Sequence, residues 1–175
     1  LDKSKSLALS VFVKTFMSPL DPSAAGKQRA GTNYMGSAGS KEALADNDGI
    51  LYTDSAVRLT DVTDGTSNTL MFIETLGGDG GKQAADMRRR HVRLKKGDLK
   101  GIKDTAGVQE WKNGKGIVGD RGASWLDGRF LKATITATRA VNDARPDVDC
   151  HGDGGPAGPR SLIGFSHAAI CGGPV

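Results

Sequence analysis

The stretch from Leu59 to Glu74 constrains the fold most, because a polar turn there passes directly into an apolar run. Asp61 to Asp64 can form a single helical turn capped by Asp61, and Gly65 can adopt the positive φ that ends it. The short polar side chains of Thr66-Ser67-Asn68 can bond nearby backbone groups. Thr69–Ile73 then has strand length and strand composition. The stretch therefore predicts a rigid bend that leads into a central strand.

Composition favours one domain built from short strands. The chain has 175 residues, 25 of them Gly, and its hydrophobic fraction is 37% with nine aromatic residues. This length suits one domain of ordinary size, and the modest apolar content with many turn residues favours strands and turns over a helical bundle. We therefore predict an α+β fold, a mostly antiparallel sheet with long loops, spanning residues 1–175.

The net charge of +4 is concentrated in one segment. Residues 87–103 contain eight of the 24 Lys and Arg residues and one acid, so the rest of the chain is net negative. A basic run can contact phosphates, but no aromatic residue interleaves with it for base stacking. We expect no nucleic-acid binding and interpret the run as a solvated face or a contact with an acidic partner.

Five further segments have clear local patterns. Val11–Met17 has strand composition, and Gln83–Lys96 places apolar residues at helical spacing. Ile50–Tyr52, after Asp48-Gly49, is typical of a hairpin strand, and Lys132–Arg139 alternates as a half-buried strand. The glycine run 77–81 lacks a phosphate-loop ending and predicts a flexible turn.

Four sequence blocks occur in an order that resembles a known family. They are Gly31–Gly36, Asp48–Ile50, the Asp61–Glu74 bend and Arg121–Trp125. In this order they resemble a bacterial family of pseudopilin-like proteins. Its full-length members begin with a prepilin-type cleavage and methylation segment and end in a His-x9-Asp-Gly motif. The residues that carry the resemblance are Asp61, Asp64, Gly65, Thr66, Ser67, Asn68, Glu74, Arg121, Gly122 and Trp125.

The resemblance implies a pilin-like head whose hydrophobic N-terminal helix is missing here. Residues 1–10 would be a remnant of that helix, and residues 77–119 a loop and helix excursion. It also implies a location outside the cytoplasm and assembly with other pseudopilin-like subunits through the missing helix. We expect the isolated head to be monomeric and to contact a membrane only through that helix.

Two departures from the family pattern lie near the ends of the chain. The family usually has a Cys-Pro-Ser-Asp-Pro block where this chain reads Ser18–Pro22, so a bridge by that cysteine is excluded. The sequence given ends at Val175, before the family's terminal motif could be tested. At Trp125 we expect a packing anchor, and we expect Arg121 either to cover its ring or to reach a carbonyl.

The segment after Asp143 suggests a calcium site and a disulfide. Asp147, Asp149, His151 and Asp153 alternate before a glycine pair, a pattern of oxygen ligands that suits calcium, although the closing Glu of an EF-hand is absent. We favour a disordered polar loop, with calcium at Asp147, Asp149 and Asp153 as the alternative. Cys150 and Cys171 can form a disulfide if the domain is extracytoplasmic, and the sequence leaves this open.

Function is therefore predicted as structural and not enzymatic, with no catalytic residues and no cofactor other than possible calcium. The three histidines form no known catalytic motif. One alternative is a secreted carbohydrate- or protein-binding module that uses loops around Trp111 and Trp125. A less favoured alternative is a metal-dependent hydrolase that uses His151 with Asp147 or Asp149.

Overall fold

The computed structural model describes residues 10–21, 31–41, 46–81, 86–94, 105, 107–129, 132–151 and 162–165. The described residues form short strands, one short helix and three single turns of 3₁₀ helix. The strands are β1 (Tyr34–Gly39), β2 (Phe72–Glu74), β3 (His91–Leu94), β4 (Ile117–Val118), β5 (Thr134–Thr136), β6 (Asp147–His151) and β7 (Leu162–Phe165); the helix is α1 (Val108–Lys112), and the turns are Lys14–Phe16, Leu59–Asp61 and Met87–Arg89.

The strands form two small mixed sheets. Sheet A has the order β2-β1-β5, with an antiparallel β1–β2 pair and a parallel β1–β5 pair. Sheet B has the order β4-β3-β6-β7, in which only the central β3–β6 pair is parallel. The fold is thus α+β with little helix and long loops, as the composition predicts.

Each sheet buries one set of apolar side chains. In sheet A, Met35, Ile73 and Ile135 form a buried cluster across the three strands. In sheet B, Val92 and Val148 are in register on β3 and β6 and are fully buried. The small number of large side chains in these clusters agrees with the modest apolar content of the sequence.

The bend before β2 is rigid, but its details differ from the prediction. The 3₁₀ turn lies at Leu59–Asp61, so Asp61 ends it; the Asp61 carboxylate accepts a hydrogen bond from the Arg58 amide at 2.8 Å. Gly65 has the predicted positive φ of 87°. Asn68 donates to the Asp64 carbonyl at 2.9 Å, which stiffens the bend as expected.

The prediction that Thr69–Ile73 forms a central strand is wrong. The strand begins at Phe72, and among the strands that the structure describes it lies at the edge of sheet A, next to β1. Leu70, Met71 and Phe72 remain between 43% and 56% exposed. An apolar run of strand length does not distinguish a central strand from an edge strand, because both have the same local composition.

Two further secondary-structure predictions are wrong. Within Val11–Met17 the described chain forms a 3₁₀ turn and no strand. Within Gln83–Lys96, the described residues form a 3₁₀ turn and β3, and not a helix. Here β-sheet pairing overrides a weak helical spacing, because β3 gains partners on both sides from β4 and β6.

Three other segments agree with the sequence only in part. Lys132–Arg139 contains a strand, but it covers only Thr134–Thr136. Ile50–Tyr52 forms no assigned strand, although the Leu51 amide donates to the Ser37 carbonyl at 3.0 Å. Residues 36–39, whose Gly and Ser content favours a loop, belong to β1.

The glycine run 77–81 is held in place and is not a flexible turn. The Gly78 amide donates to the Arg121 carbonyl at 2.8 Å, and the Gly80 amide donates to the Gly119 carbonyl at 2.7 Å. A side chain at Gly78 would collide with the backbone at Gly119. Glycine is therefore needed at Gly78 because two backbones approach each other there.

None of the helices in the described ranges combines the length and the apolar character that a transmembrane helix requires.

Candidate functional site

Several buried polar side chains, two of them singled out in the sequence, meet in a junction between the two sheets. We define the polar junction as Asp21, Asn33, Thr75, Arg89, Arg121 and Asp147. Its members come from chain segments that are far apart in sequence, and they meet near the start of β1, the end of β2 and the start of β6.

Asn33 is the centre of one half of the polar junction. Its fully buried side chain accepts a hydrogen bond from the Ser18 amide at 3.0 Å and donates to Asp21 and to the Thr75 carbonyl at 2.9 and 2.8 Å. The Asn33 amide also donates to the Phe16 carbonyl at 2.9 Å. One amide side chain thereby joins the N-terminal segment to both strands of the β1–β2 pair.

Asp21 extends this network to the segment after β2. Its buried carboxylate accepts from the Gly77 amide at 2.8 Å and forms an ion pair with Arg89 at 2.9 Å. Arg89 also donates to the Gly77 carbonyl at 3.0 Å. Charge-assisted hydrogen bonds of this kind compensate the cost of burying the carboxylate.

Arg121 forms the other half of the polar junction. It is fully buried, pairs with the fully buried Asp147 carboxylate, and donates to the Thr75 hydroxyl at 3.3 Å. The pair connects the chain after β4 to the first residue of β6. The expectation that Arg121 covers the Trp125 ring is therefore wrong, because its guanidinium is directed to Asp147 and Thr75.

Gly122 allows this arrangement of Arg121. It has a positive φ of 54°, and its carbonyl accepts the Thr32 amide at 2.8 Å. A side chain at Gly122 would collide with the Thr32 carbonyl, and one at Gly31 would approach the Gly122 carbonyl. The Gly31 and Arg121-Gly122 blocks of the sequence thus contact each other directly.

A second group of charges lies beside the polar junction on sheet B. We define the charged cluster as His91, Arg93, Asp120, Lys132 and Asp149. Arg93 pairs with the buried Asp149 at 3.0 Å, and Lys132 pairs with Asp120 at 2.9 Å. The fully buried His91 ring places Nε2 at 3.5 Å from both Asp120 and Asp149.

Opposite charges in the charged cluster stabilise one another. Burial works to raise the pKa of Asp120, but the hydrogen bond from Lys132 and the positive charges nearby hold that pKa below its ordinary value. Burial likewise opposes the charge of Arg93, yet Asp149 and Asp120 raise the pKa of Arg93. The cluster therefore holds charged groups as mutual partners inside the protein.

The described residues give little support to a metal site in these groups. Among the ranges that the structure describes, no set of three or more His, Cys, Asp and Glu side chains is arranged to hold a metal ion. Asp147 and Asp149 lie in β6 and not in the predicted loop, and each pairs with an arginine. Asp153 lies outside the described residues, so calcium binding there stays a prediction.

The proposed disulfide stays a prediction too. Cys150 lies in β6, opposite Leu94 of β3 and Ile163 of β7. Cys171 lies outside the described residues.

Trp125 acts as a packing residue, but near the surface. Its indole nitrogen donates to the Val11 carbonyl at 3.0 Å, and its ring centroid lies 5.8 Å from that of Phe16. The side chain is partly exposed, so it fastens the N-terminal segment to the domain and does not fill a core.

The remaining residues of the sequence resemblance lie away from the polar junction. Those of the bend are exposed, and the side-chain hydrogen bonds of Asp61 and Asn68 join them to nearby backbone, at Arg58 and Asp64; the bend residues are Asp61, Asp64, Gly65, Thr66, Ser67 and Asn68. Glu74 ends β2 opposite Tyr34.

Sequence reasoning missed several members of the polar junction. Asp21, Asn33, Thr75 and Arg89 were not predicted as a group, although Asn33 lies in one of the four blocks. One signal that could have found them is the position of polar residues directly before or after strands, where their side chains can hydrogen-bond the backbone at the strand ends. Their partners are more than ten residues away in sequence, which local patterns do not reveal.

Comparison with known proteins identifies the family. A family model described as "Protein of unknown function (DUF1559)" matches residues 3–171. The chain belongs to this family. No curated protein and no solved structure gives a significant match to this DUF1559 chain. The matched range covers the polar junction, the charged cluster and the bend.

Proposed function

We propose that this DUF1559 chain is the head of an extracytoplasmic structural subunit that resembles the pseudopilins of type II secretion and type IV pilus systems. The observation that supports the proposal is the polar junction. Its carboxylates, its guanidinium groups and the Asn33 amide bond other parts of the same domain. Catalysis instead requires reactive groups that converge where a substrate can reach them.

The order of the four sequence blocks, which resembles that of pseudopilin-like proteins, supports the same proposal. The blocks at Gly31–Gly36 and Arg121–Trp125 contact each other through the Thr32 amide and the Gly122 carbonyl. Sequence elements that fix one another in this way stabilise a scaffold. In the proposed role, the head is presented outside the cytoplasm and assembles through an N-terminal helix that precedes it in the full-length protein.

The test uses the full-length gene product in its native host. An epitope tag, cell fractionation and mass spectrometry of the N-terminal peptide would locate the protein and define its first residue. We expect an envelope-associated protein whose N-terminus has been cleaved and methylated, and we expect processing to stop when the host's prepilin peptidase is deleted. An unprocessed protein in the cytoplasmic fraction would contradict the proposal.

A further inference from the structure

The first part of the described chain lies on the domain without joining either sheet. We define the N-terminal strap as residues 10–21. It forms one 3₁₀ turn and no strand, and its only buried side chains are the polar ones of Ser18 and Asp21. The strap therefore lacks the fully buried apolar side chains that stabilise both sheets. Its large apolar residues are instead 38% to 66% exposed; they are Val11, Phe12, Phe16 and Leu20.

Three sets of polar contacts attach the strap to the domain, and two of them join uncharged groups. Near the start of the strap, the Trp125 indole nitrogen donates to the Val11 carbonyl at 3.0 Å in an exposed contact. In the middle, the Phe16 carbonyl accepts the Asn33 amide at 2.9 Å, and the Ser18 amide donates to the Asn33 side chain at 3.0 Å. Hydrogen bonds between uncharged groups stabilise a fold by modest amounts, because water replaces them when the groups separate.

The third attachment, at Asp21, is buried and charged. We define the latch as the pair of Asp21 and Arg89, in which Oδ1 and Nη2 lie 2.9 Å apart. The Asp21 carboxylate also accepts from the Gly77 amide at 2.8 Å and from the Asn33 side chain at 2.9 Å. Charge-assisted hydrogen bonds are about twice as strong as neutral ones. The latch is therefore the attachment that holds the strap most strongly.

The strap and the sheets can separate without losing their own internal hydrogen bonds. The Phe16 amide donates to the Val13 carbonyl at 2.9 Å, and the Asp21 amide donates to the Ser18 carbonyl at 3.2 Å, so the backbone of the strap closes its own turns. None of the described strand pairs includes a residue of the strap. A segment with few buried apolar contacts opens at a lower free energy than the whole domain.

We propose that the N-terminal strap opens as one unit while both sheets stay folded, and that the latch sets how often it opens. The open strap frees up to about 40 Å of chain between the domain and residues 1–9, since an extended chain spans about 3.3–3.6 Å per residue. The opening does not rest on the proposed function. In a subunit held by a preceding helix, tension would act on the strap first and lengthen the tether before either sheet unfolds.

Native-state hydrogen exchange of the present chain, followed by NMR, tests the opening. The Ser18 and Asn33 amides report on the strap, because their hydrogen bonds cross from the strap to the domain. The Ser37 and Arg93 amides report on sheets A and B. After correction for intrinsic rates, we expect the strap amides to exchange at least about a hundredfold faster than the sheet amides. Their exchange should also depend less on urea concentration, because a local opening exposes little surface.

A pair of neighbouring variants tests the latch. In Arg89→Met the Asp21 carboxylate is hydrated only when the strap opens, so exchange at the strap amides should rise at least about tenfold while the Arg93 amide is unchanged. Arg88→Met is the matched control. It removes the adjacent pair with Asp86, in which the Arg88 side chain is 53% exposed, and it should leave exchange at the strap amides unchanged.

Trp125→Phe tests the other end of the strap, and it decides alone if Arg89→Met does not fold. This variant keeps a ring beside Phe16 but removes the hydrogen bond to the Val11 carbonyl, so it should speed exchange at the strap amides about fivefold and leave the Ser37 amide unchanged. Three results would overturn the inference. They are strap and sheet amides that exchange at one rate with one urea dependence, an equal acceleration of all amides in Arg89→Met, and unchanged strap amides in Trp125→Phe.

Discussion

Replacing Arg121 with methionine would leave the Asp147 carboxylate buried without the cation that it faces. Both side chains are fully buried, so water cannot replace the lost partner. Removal of one member of a buried ion pair costs about 3–5 kcal/mol. In a domain of this length each kcal/mol lowers the melting temperature by about 2–4 °C, so the expected decrease is about 6–20 °C.

The measurement is urea unfolding at neutral pH, followed by circular dichroism. Arg121→Met is compared with Asp147→Leu and with the double variant, in which neither charge remains. We expect the double variant to be more stable than the sum of the single effects predicts, by about 3 kcal/mol. Arg129→Met is the control. It removes the surface pair with Asp127, in which the Arg129 side chain is 53% exposed, and it should lower the free energy of unfolding by less than about 1 kcal/mol. The reasoning would be refuted if the effects of Arg121→Met and Asp147→Leu simply add in the double variant, or if Arg121→Met destabilises the domain as little as the control does.

Three further predictions follow from the same contacts. Asn33→Ala removes the hydrogen bonds that Asn33 makes with Ser18, Asp21 and Thr75, and it should lower the free energy of unfolding in urea by about 2–4 kcal/mol. A loss under about 1 kcal/mol would argue against a central role of Asn33 in the polar junction. Gly122→Ala should lower the melting temperature far more than Gly114→Ala. Both glycines have positive φ, but only at Gly122 would an added side chain also collide with the Thr32 backbone. Equal melting temperatures of the two variants would contradict this. The hydrogen bond from Arg129 lowers the pKa of Asp127 to about 2, so the stability that the ionised Asp127 contributes is present above about pH 4 and is lost as the pH falls toward 2. Arg129→Gln should therefore reduce the loss of stability between about pH 4 and pH 2, as measured by urea midpoints. If the loss is unchanged in the variant, the Arg129–Asp127 pair is not its source.

Local turn chemistry could be predicted from the sequence because its partners are adjacent. The positive φ at Gly65 and the hydrogen bond from Asn68 to Asp64 involve residues within four positions of each other. The presence of a strand near Thr134 was also predictable, from the alternation of Lys132–Arg139. These features need no information about distant parts of the chain.

Strand pairing and the identity of β3 could not be predicted in the same way. β3 is only four residues long, and a spacing of three between His91 and Leu94 fits a helix as well as a strand. Its burial pattern shows no alternation, because side chains on both faces of β3 are largely buried. Only the parallel partner β6, more than fifty residues later, decides between the two structures.

The candidate site shows the same limit. Asp147 and Asp149 alternate in the sequence, and alternation of carboxylates suits both a cation loop and one face of a strand. The choice depends on Arg121 and Arg93, which supply the positive charge from other segments. A single sequence does not reveal that these cations are directed at the two carboxylates.

The parallel pairs have a consequence for how the chain reaches its native state. Gly36 of β1 pairs with Thr134 of β5, and His91 of β3 pairs with Asp147 of β6, so each sheet is completed by a segment made late in synthesis. Pairing over such separations is slow, because the entropy of closing a long loop is lost before the contacts form. A nascent chain that stops before residue 134 would expose the side of β1 that pairs with β5, and β3 would lack its parallel partner until β6 has been made.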